Sequence, residues 1–186
     1  MPSCALFVID IQKDLAAIPE TRIPDAQRVC DAASKILDNA RAANAQAVAD
    51  GHKPDWLIAF VQHEEKPESG PLVKDTEPWE LVFQPQADEM LIAKNTEGAF
   101  ESNPSLAKTL RDQGIKCIVI CGIQSECCVL STSKNVLDAG FAVTILKGAH
   151  STYNGKTKTA TDIEREVEQE LSDKGAKVVD WEQWYP

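Results

Sequence analysis

Short apolar runs alternate with longer stretches in which apolar residues recur every three or four positions, and this alternation dominates the chain. Five runs rich in Val, Ile and Leu, at residues 5–10, 56–62, 90–94, 117–122 and 142–147, read as buried strands. A shorter run at 177–180 finishes the set. Between them, Ala26, Val29, Cys30, Ala33, Ile36, Leu37 and Ala40 mark one helical face, with Pro24 suited to its first turn. Asn103 and Pro104 form a cap and first-turn pair for a helix over 106–113, with Gly114 as its stop. Val129, Thr132, Val136 and Leu137 line a face ahead of Gly140, and Ile163, Val167 and Leu171 do so ahead of Gly175. Strand and helix in regular succession predict a doubly wound α/β domain. It is a three-layer sandwich whose mostly parallel central sheet has about six strands, with helices on both faces. Ligands in such sheets bind beyond the carboxyl ends of the strands, so Asp10, His63, Lys94 and residues 122–128 matter most.

A chain of 186 residues, 43% hydrophobic and 26% charged, suits one domain spanning 1–186. The segment 64–78, with three prolines, Gly70 and many charges, reads as a surface excursion that covers the site or meets another subunit. A net charge of -10 lacks the concentrated basic face that nucleic acid or an anionic membrane requires, so neither is an expected partner. The first residues show no basic region followed by an apolar core and a cleavage site, and no apolar stretch approaches the ~20 residues that span a bilayer. A cytoplasmic protein is expected. The six cysteines contain no CxxC pair, and Cys30, Cys117 and Cys121 fall on apolar faces, so all are expected to be reduced thiols.

Three polar positions carry candidate chemistry. Asp10 ends the first strand beside apolar neighbours that raise a carboxyl pKa unless a cation offsets them; the plainer alternative is a helix cap. Lys94 ends the third strand, where a lysine is often just the first solvated position, and gains meaning if it meets Asp10. Residues 122–129, Gly-Ile-Gln-Ser-Glu-Cys-Cys-Val, join a strand to a helix. A cysteine at a helix start has its thiolate favoured by unpaired N–H groups, which also suit an oxyanion. No GxGxxG or GKS/T follows a glycine, which argues against a nucleotide site. Spacing leaves the choice between Cys127 and Cys128 open.

Taken together, the three segments resemble the isochorismatase-like cysteine hydrolases, which include nicotinamidases, N-carbamoylsarcosine amidase, ureidoacrylate and biuret hydrolases and the streptothricin hydrolase type. The resemblance runs over roughly residues 4–180 and rests on Val-Ile-Asp-Ile-Gln-Lys-Asp around Asp10, Lys-Asn-Thr-Glu-Gly-Ala-Phe from Lys94, and Gly-Ile-Gln-Ser-Glu-Cys-Cys-Val. It implies the isochorismatase-like fold, with Cys128 as nucleophile, Asp10 as proton carrier and Lys94 as electrostatic partner. It also implies a cis peptide between Ile123 and Gln124, an oxyanion site at the N–H groups of Gln124 and Cys128, and a homodimer or homotetramer. The streptothricin-hydrolase-like or N-carbamoylsarcosine amidase-like branch fits best.

Departures from relatives sharpen the expectation. Nicotinamidases resemble one another in an Asp and His metal cluster after the second strand, where this chain has Gln62-His63-Glu64-Glu65-Lys66-Pro67. One histidine without a second implies no catalytic metal and no cofactor, and leaves His63 as a structural or pocket-lining residue. Gly148 stands where many relatives carry an acidic residue; His150 reads as a loop anchor and His52 as surface. Gln12, Trp79, Glu97, Phe100 and Gln124 are candidate pocket residues, by closeness in sequence to the catalytic positions or by membership of the excursion. The function implied is a metal-independent cysteine amidohydrolase that cleaves a C–N bond of a small amide, urea or lactam through a thioester. The alternatives are vinyl-ether hydrolysis of an isochorismate-like substrate and a catalytically silent scaffold.

Overall fold

A computed structural model describes residues 2–186. Strand β1 (Cys4–Ile9) leads through a single helical turn, α1 (Lys13–Ala16), to the long helix α2 (Ala26–Ala49) and strand β2 (Trp56–His63). The excursion then runs to β3 (Met90–Lys94), followed by α3 (Ala99–Ser102), α4 (Leu106–Asp112) and β4 (Cys117–Ile123). A π-helical turn, Ser125–Val129, opens α5 (Leu130–Asp138), and β5 (Ala142–Ser151), α6 (Ala160–Asp173) and β6 (Lys177–Asp180) complete the domain. The six strands lie in the order β3-β2-β1-β4-β5-β6, and every pair is parallel. The fold is thus the doubly wound α/β sandwich that the alternation predicted.

The pleat explains why the strands read as continuous apolar runs. Along β1, Leu6 and Val8 pack into the core on the α2 side, while Ala5, Phe7 and Ile9 pack into the core beneath α4, α5 and α6. Both faces of the strand are dry, so polar positions have no place until it ends. Ile58 and Phe60 of β2 and Val119 and Cys121 of β4 follow the first set; Ala59, Val61, Ile118 and Ile120 follow the second. Each large side chain buried this way contributes roughly 1.5–3 kcal/mol.

Three local expectations are corrected. Asn103 does not cap α4, whose first residue follows Ser105; it ends α3, and its Nδ2 donates to the carbonyls of Ala93 and Ala99 at 2.9 Å each, bracing the end of β3. Strand β5 runs past Lys147 to Ser151, because a shift of register between Ile120 and Gly122 lets pairing resume at Gly122–His150. His150 is therefore a buried strand residue rather than a loop anchor. Finally, Cys4 and Cys117 form a disulfide, where reduced thiols were expected. They are register partners on adjacent strands but 113 residues apart in sequence, a pairing that spacing cannot reveal. It lies at the amino ends of the strands, opposite the candidate site.

Chain order reverses between β1 and β4, which creates the crevice beyond their carboxyl ends where ligands bind in such sheets. Gly122, the partner of Ile9, allows this junction to close: its φ is 140°, and a Cβ there would stand 2.1 Å from the Ile9 carbonyl oxygen. The excursion folds back over the same edge. Lys13 N donates to Glu80 O at 2.8 Å and Val82 N to Ile11 O at 2.9 Å. Among the described residues, no helix is long and apolar enough to cross a membrane. Because the neighbour of Gly122 is backbone, Gly122→Ala is expected to destabilise the fold by about 3 kcal/mol or more, measurable by urea denaturation.

Candidate active site

Strand register brings the separated polar residues to one rim. Ile9 pairs with Val61 and Gly122, and His63 pairs with Lys94, so Asp10, His63, Lys94 and the turn after β4 emerge side by side. Asp10 leaves the strand with φ 49°, a left-handed conformation that Asp tolerates better than most residues. The Ile123–Gln124 peptide bond is cis. Asp10 and Lys94 are 0% and 2% exposed.

The Lys94 ammonium sits at the centre. Its Nζ lies 2.8 Å from Asp10 Oδ2, 3.2 Å from Cys128 Sγ, 3.1 Å from His63 Nδ1 and 3.1 Å from the Thr96 carbonyl. The Asp10 carboxylate and the Lys94 ammonium thus form a buried ion pair. An ammonium has three donors, so four acceptors around it select for its charged form. Burial works against that charge, but the Asp10 carboxylate opposes it and the Lys94 pKa is raised. Burial lowers the His63 pKa, and the Lys94 charge lowers it further. A neutral ring with Nδ1 accepting from Lys94 follows.

The sulfur differs from what a helix start alone implies. Cys128 lies in the π-helical turn ahead of α5, where burial pushes its thiol well above the ordinary range. The Asp10 charge adds to the rise, and Lys94 opposes both without prevailing. The resting group is a thiol beside a carboxylate, not a standing thiolate. Cys127 makes no such contact with Lys94; burial, then Glu126 and Glu97, push its thiol up to about 11.

A hollow of about 310 Å³ opens on this cluster. Asp10, His63, Cys128, Gln124 and Cys127 line it, together with Asp14, Leu15, Glu65, Pro71, Leu72 and Tyr153. A larger hollow of about 570 Å³ lies at the other end of the sheet, around Trp56, Arg41 and Val48, and holds none of the clustered reactive groups. Chemistry rather than size therefore identifies the site.

Four residues expected to wall the pocket are placed elsewhere. Gln12 is fully buried as a clamp: its Nε2 donates to the carbonyls of His63 at 2.9 Å and Trp79 at 2.7 Å, and its Oε1 accepts from His63 N at 3.0 Å. Trp79 serves this clamp through its backbone. Glu97 accepts from Ser131 Oγ at 3.0 Å, and Phe100 packs against Phe141. Gln124 does line the hollow. Gly148, at φ 82° with Trp181 3.0 Å from where a Cβ would stand, has a backbone conformation and a contact that would strain a side chain there. His150 Nδ1 instead meets Ser125 Oγ at 2.8 Å, supporting the cysteine turn from below. The walls that sequence reasoning missed lie just beyond the recognised positions: Asp14 follows Asp10 by one turn, Tyr153 follows the extended β5, and Leu72 sits within the excursion.

The Isochorismatase domain model matches residues 4–183, and the chain belongs to this family. A streptothricin hydrolase from Streptomyces noursei is 31% identical over 82% of this chain. The chain spans only 56% of that relative's length and 58% of a second streptothricin hydrolase from the same organism, which is 29% identical. A cysteine hydrolase from Pseudomonas syringae pv. phaseolicola superposes with a TM-score of 0.82 at 17% identity, covering 97% of this chain and 90% of its own. A pyrazinamidase of Pyrococcus horikoshii in complex with zinc superposes with a TM-score of 0.71 at 27% identity, covering 96% and 99%. His63 directs Nδ1 at an ammonium, and the described residues offer no group of three His, Cys, Asp or Glu side chains arranged to hold a metal.

Two outcomes follow from the geometry. Lys94→Met strands the buried Asp10 carboxylate and is expected to cost about 3–5 kcal/mol of stability in urea denaturation, unless Asp10 takes up a proton. In Asp10→Asn, the charge that raises the Cys128 pKa disappears while Lys94 remains, so the thiol pKa falls. Iodoacetamide labelling of Cys128 near pH 8, followed by peptide mass analysis, is expected to become faster than in the unaltered protein; slower labelling would show that the Asp10 charge does not govern the sulfur.

Proposed function

We propose that this hydrolase cleaves a C–N bond of a small amide, urea or lactam through a Cys128 thioester, without a metal. The observation that carries the proposal is one buried ammonium touching both a carboxylate and a sulfur, with a hollow open to the sulfur. The names of the streptothricin hydrolase and pyrazinamidase relatives point the same way.

As the substrate carbonyl settles against Cys128, Asp10 accepts the thiol proton, and Lys94 stabilises the thiolate as its charge develops. The sulfur attacks the carbonyl carbon, and the N–H groups of Gln124 and Cys128 receive the oxyanion. Asp10 passes its proton to the leaving nitrogen, the C–N bond breaks, and ammonia or an amine departs. Asp10 then takes a proton from water, the hydroxide so formed attacks the thioester carbonyl, and the proton returns to sulfur as the carboxylic acid leaves. Acid and base work needs one group that carries the proton from sulfur to nitrogen, and Asp10 is the carboxylate that shares both the ammonium and the hollow with Cys128. Family resemblance supports a cytoplasmic homodimer or homotetramer.

Screening amides, ureas, carbamates and lactams for ammonia release tests the reading. Turnover is expected to survive dialysis against EDTA and to fall by at least about 10³-fold in Cys128→Ala, by analogy with the loss of a nucleophile in other covalent hydrolases. Activity that persists in Cys128→Ala, or that needs added metal, would overturn it.

A further inference from the structure

Asp14 stands apart from every other acid in the hollow. It is 6% exposed and lines the same hollow as Cys128, yet no ion pair or hydrogen bond from the described residues reaches its carboxylate. The nearby donors are committed elsewhere. Thr21 Oγ1 donates to the Asp14 backbone carbonyl at 2.7 Å, and Tyr153 OH donates to Thr21 O at 2.5 Å. Lys13 pairs with Glu80 at 2.7 Å. The Tyr153 hydroxyl feels the neighbouring charge: burial raises its pKa first, and Asp14 raises it further.

The Asp14 carboxylate has no protein donor and meets only the water that the hollow admits, so a ligand that brings N–H donors or positive charge gives it a charge-assisted partner there. The rest of the hollow favours such a ligand. Glu65 adds a second acid, itself held by Leu72 N at 2.9 Å. The Lys94 ammonium is fully occupied by Asp10, His63, Thr96 and Cys128, so no free cation waits for an anionic substrate. Leu15, Pro71 and Leu72 supply apolar contact for a short spacer between the two ends.

We infer that Asp14 is the specificity-determining residue, receiving an ammonium or guanidinium at the far end of the substrate whose carbonyl lies against Cys128. The inference rests on the amide-hydrolase reading above and names its substrate class: small cationic amides.

The test compares 4-guanidinobutanamide with its neutral isostere 6-methylheptanamide. Calorimetric titration of Cys128→Ala, which leaves Asp14 untouched, is expected to show at least about tenfold tighter binding of the cationic amide, the strength of one charge-assisted contact. The preference is expected to vanish in Cys128→Ala with Asp14→Asn and to persist in part with Asp14→Glu. With Cys128 intact, Asp14→Asn is expected to lower the ratio of kcat/KM for the cationic over the neutral amide by about 10–100-fold, chiefly through KM. Equal binding of both amides by Cys128→Ala, or a preference that survives Asp14→Asn, would overturn the assignment. Hydrolysis of the neutral amide alone would also overturn it while leaving the amide-hydrolase reading intact; that reading fails separately if the broader ammonia screen finds no Cys128-dependent turnover.

Discussion

One buried ammonium organises the candidate site of this molecule. Lys94 has almost no contact with water, so the energy of its charge depends on what the protein sets around it. Asp10 supplies the opposing charge, Thr96 and His63 supply fixed acceptors, and Cys128 supplies an ionisable sulfur. A group already held in place by three partners needs no rearrangement when the fourth becomes an anion, which is the preorganisation that makes buried charge useful in a reaction. The same arrangement explains why the resting sulfur is a thiol. Burial and the Asp10 carboxylate both disfavour a second negative charge beside the ion pair.

The sheet exists in the form that this cluster requires. Parallel strands deliver all their carboxyl ends to one edge, and the reversal of chain order between β1 and β4 leaves a crevice there instead of a covered seam. Close approach of Gly122 to Ile9 sets the distance between the strand that ends in Asp10 and the turn that carries Cys128. Polar residues away from the reacting atoms brace the rim. Gln12 ties the end of β2 to the excursion, Asn103 ties the end of β3 to α3, and His150 reaches the start of the cysteine turn. The hollow above them is lined by the acids Asp10, Asp14 and Glu65 and by the apolar Leu15, Pro71 and Leu72.

The alternation of dry runs with three-and-four spacing determined the strands, the helices and the parallel sheet, because a strand buried on both faces must be apolar throughout and a covering helix must be apolar on one. For the same reason the first polar residue after each run marked the rim, and Asp10, His63 and Lys94 were legible as positions before any geometry was known. Choosing Cys128 over Cys127 needed likeness to a family as well. Only the tertiary structure decided which side chains face the hollow: closeness in sequence suggested Gln12, Trp79, Glu97 and Phe100, but their partners in space turn them to clamps and packing. Asp14, Leu72 and Tyr153 became walls because the excursion folds back and β5 runs four residues beyond its apolar core. The Cys4–Cys117 bond and the high thiol pKa of Cys128 have the same origin, since register and burial are set by contacts between residues far apart in the chain, which a linear pattern does not encode.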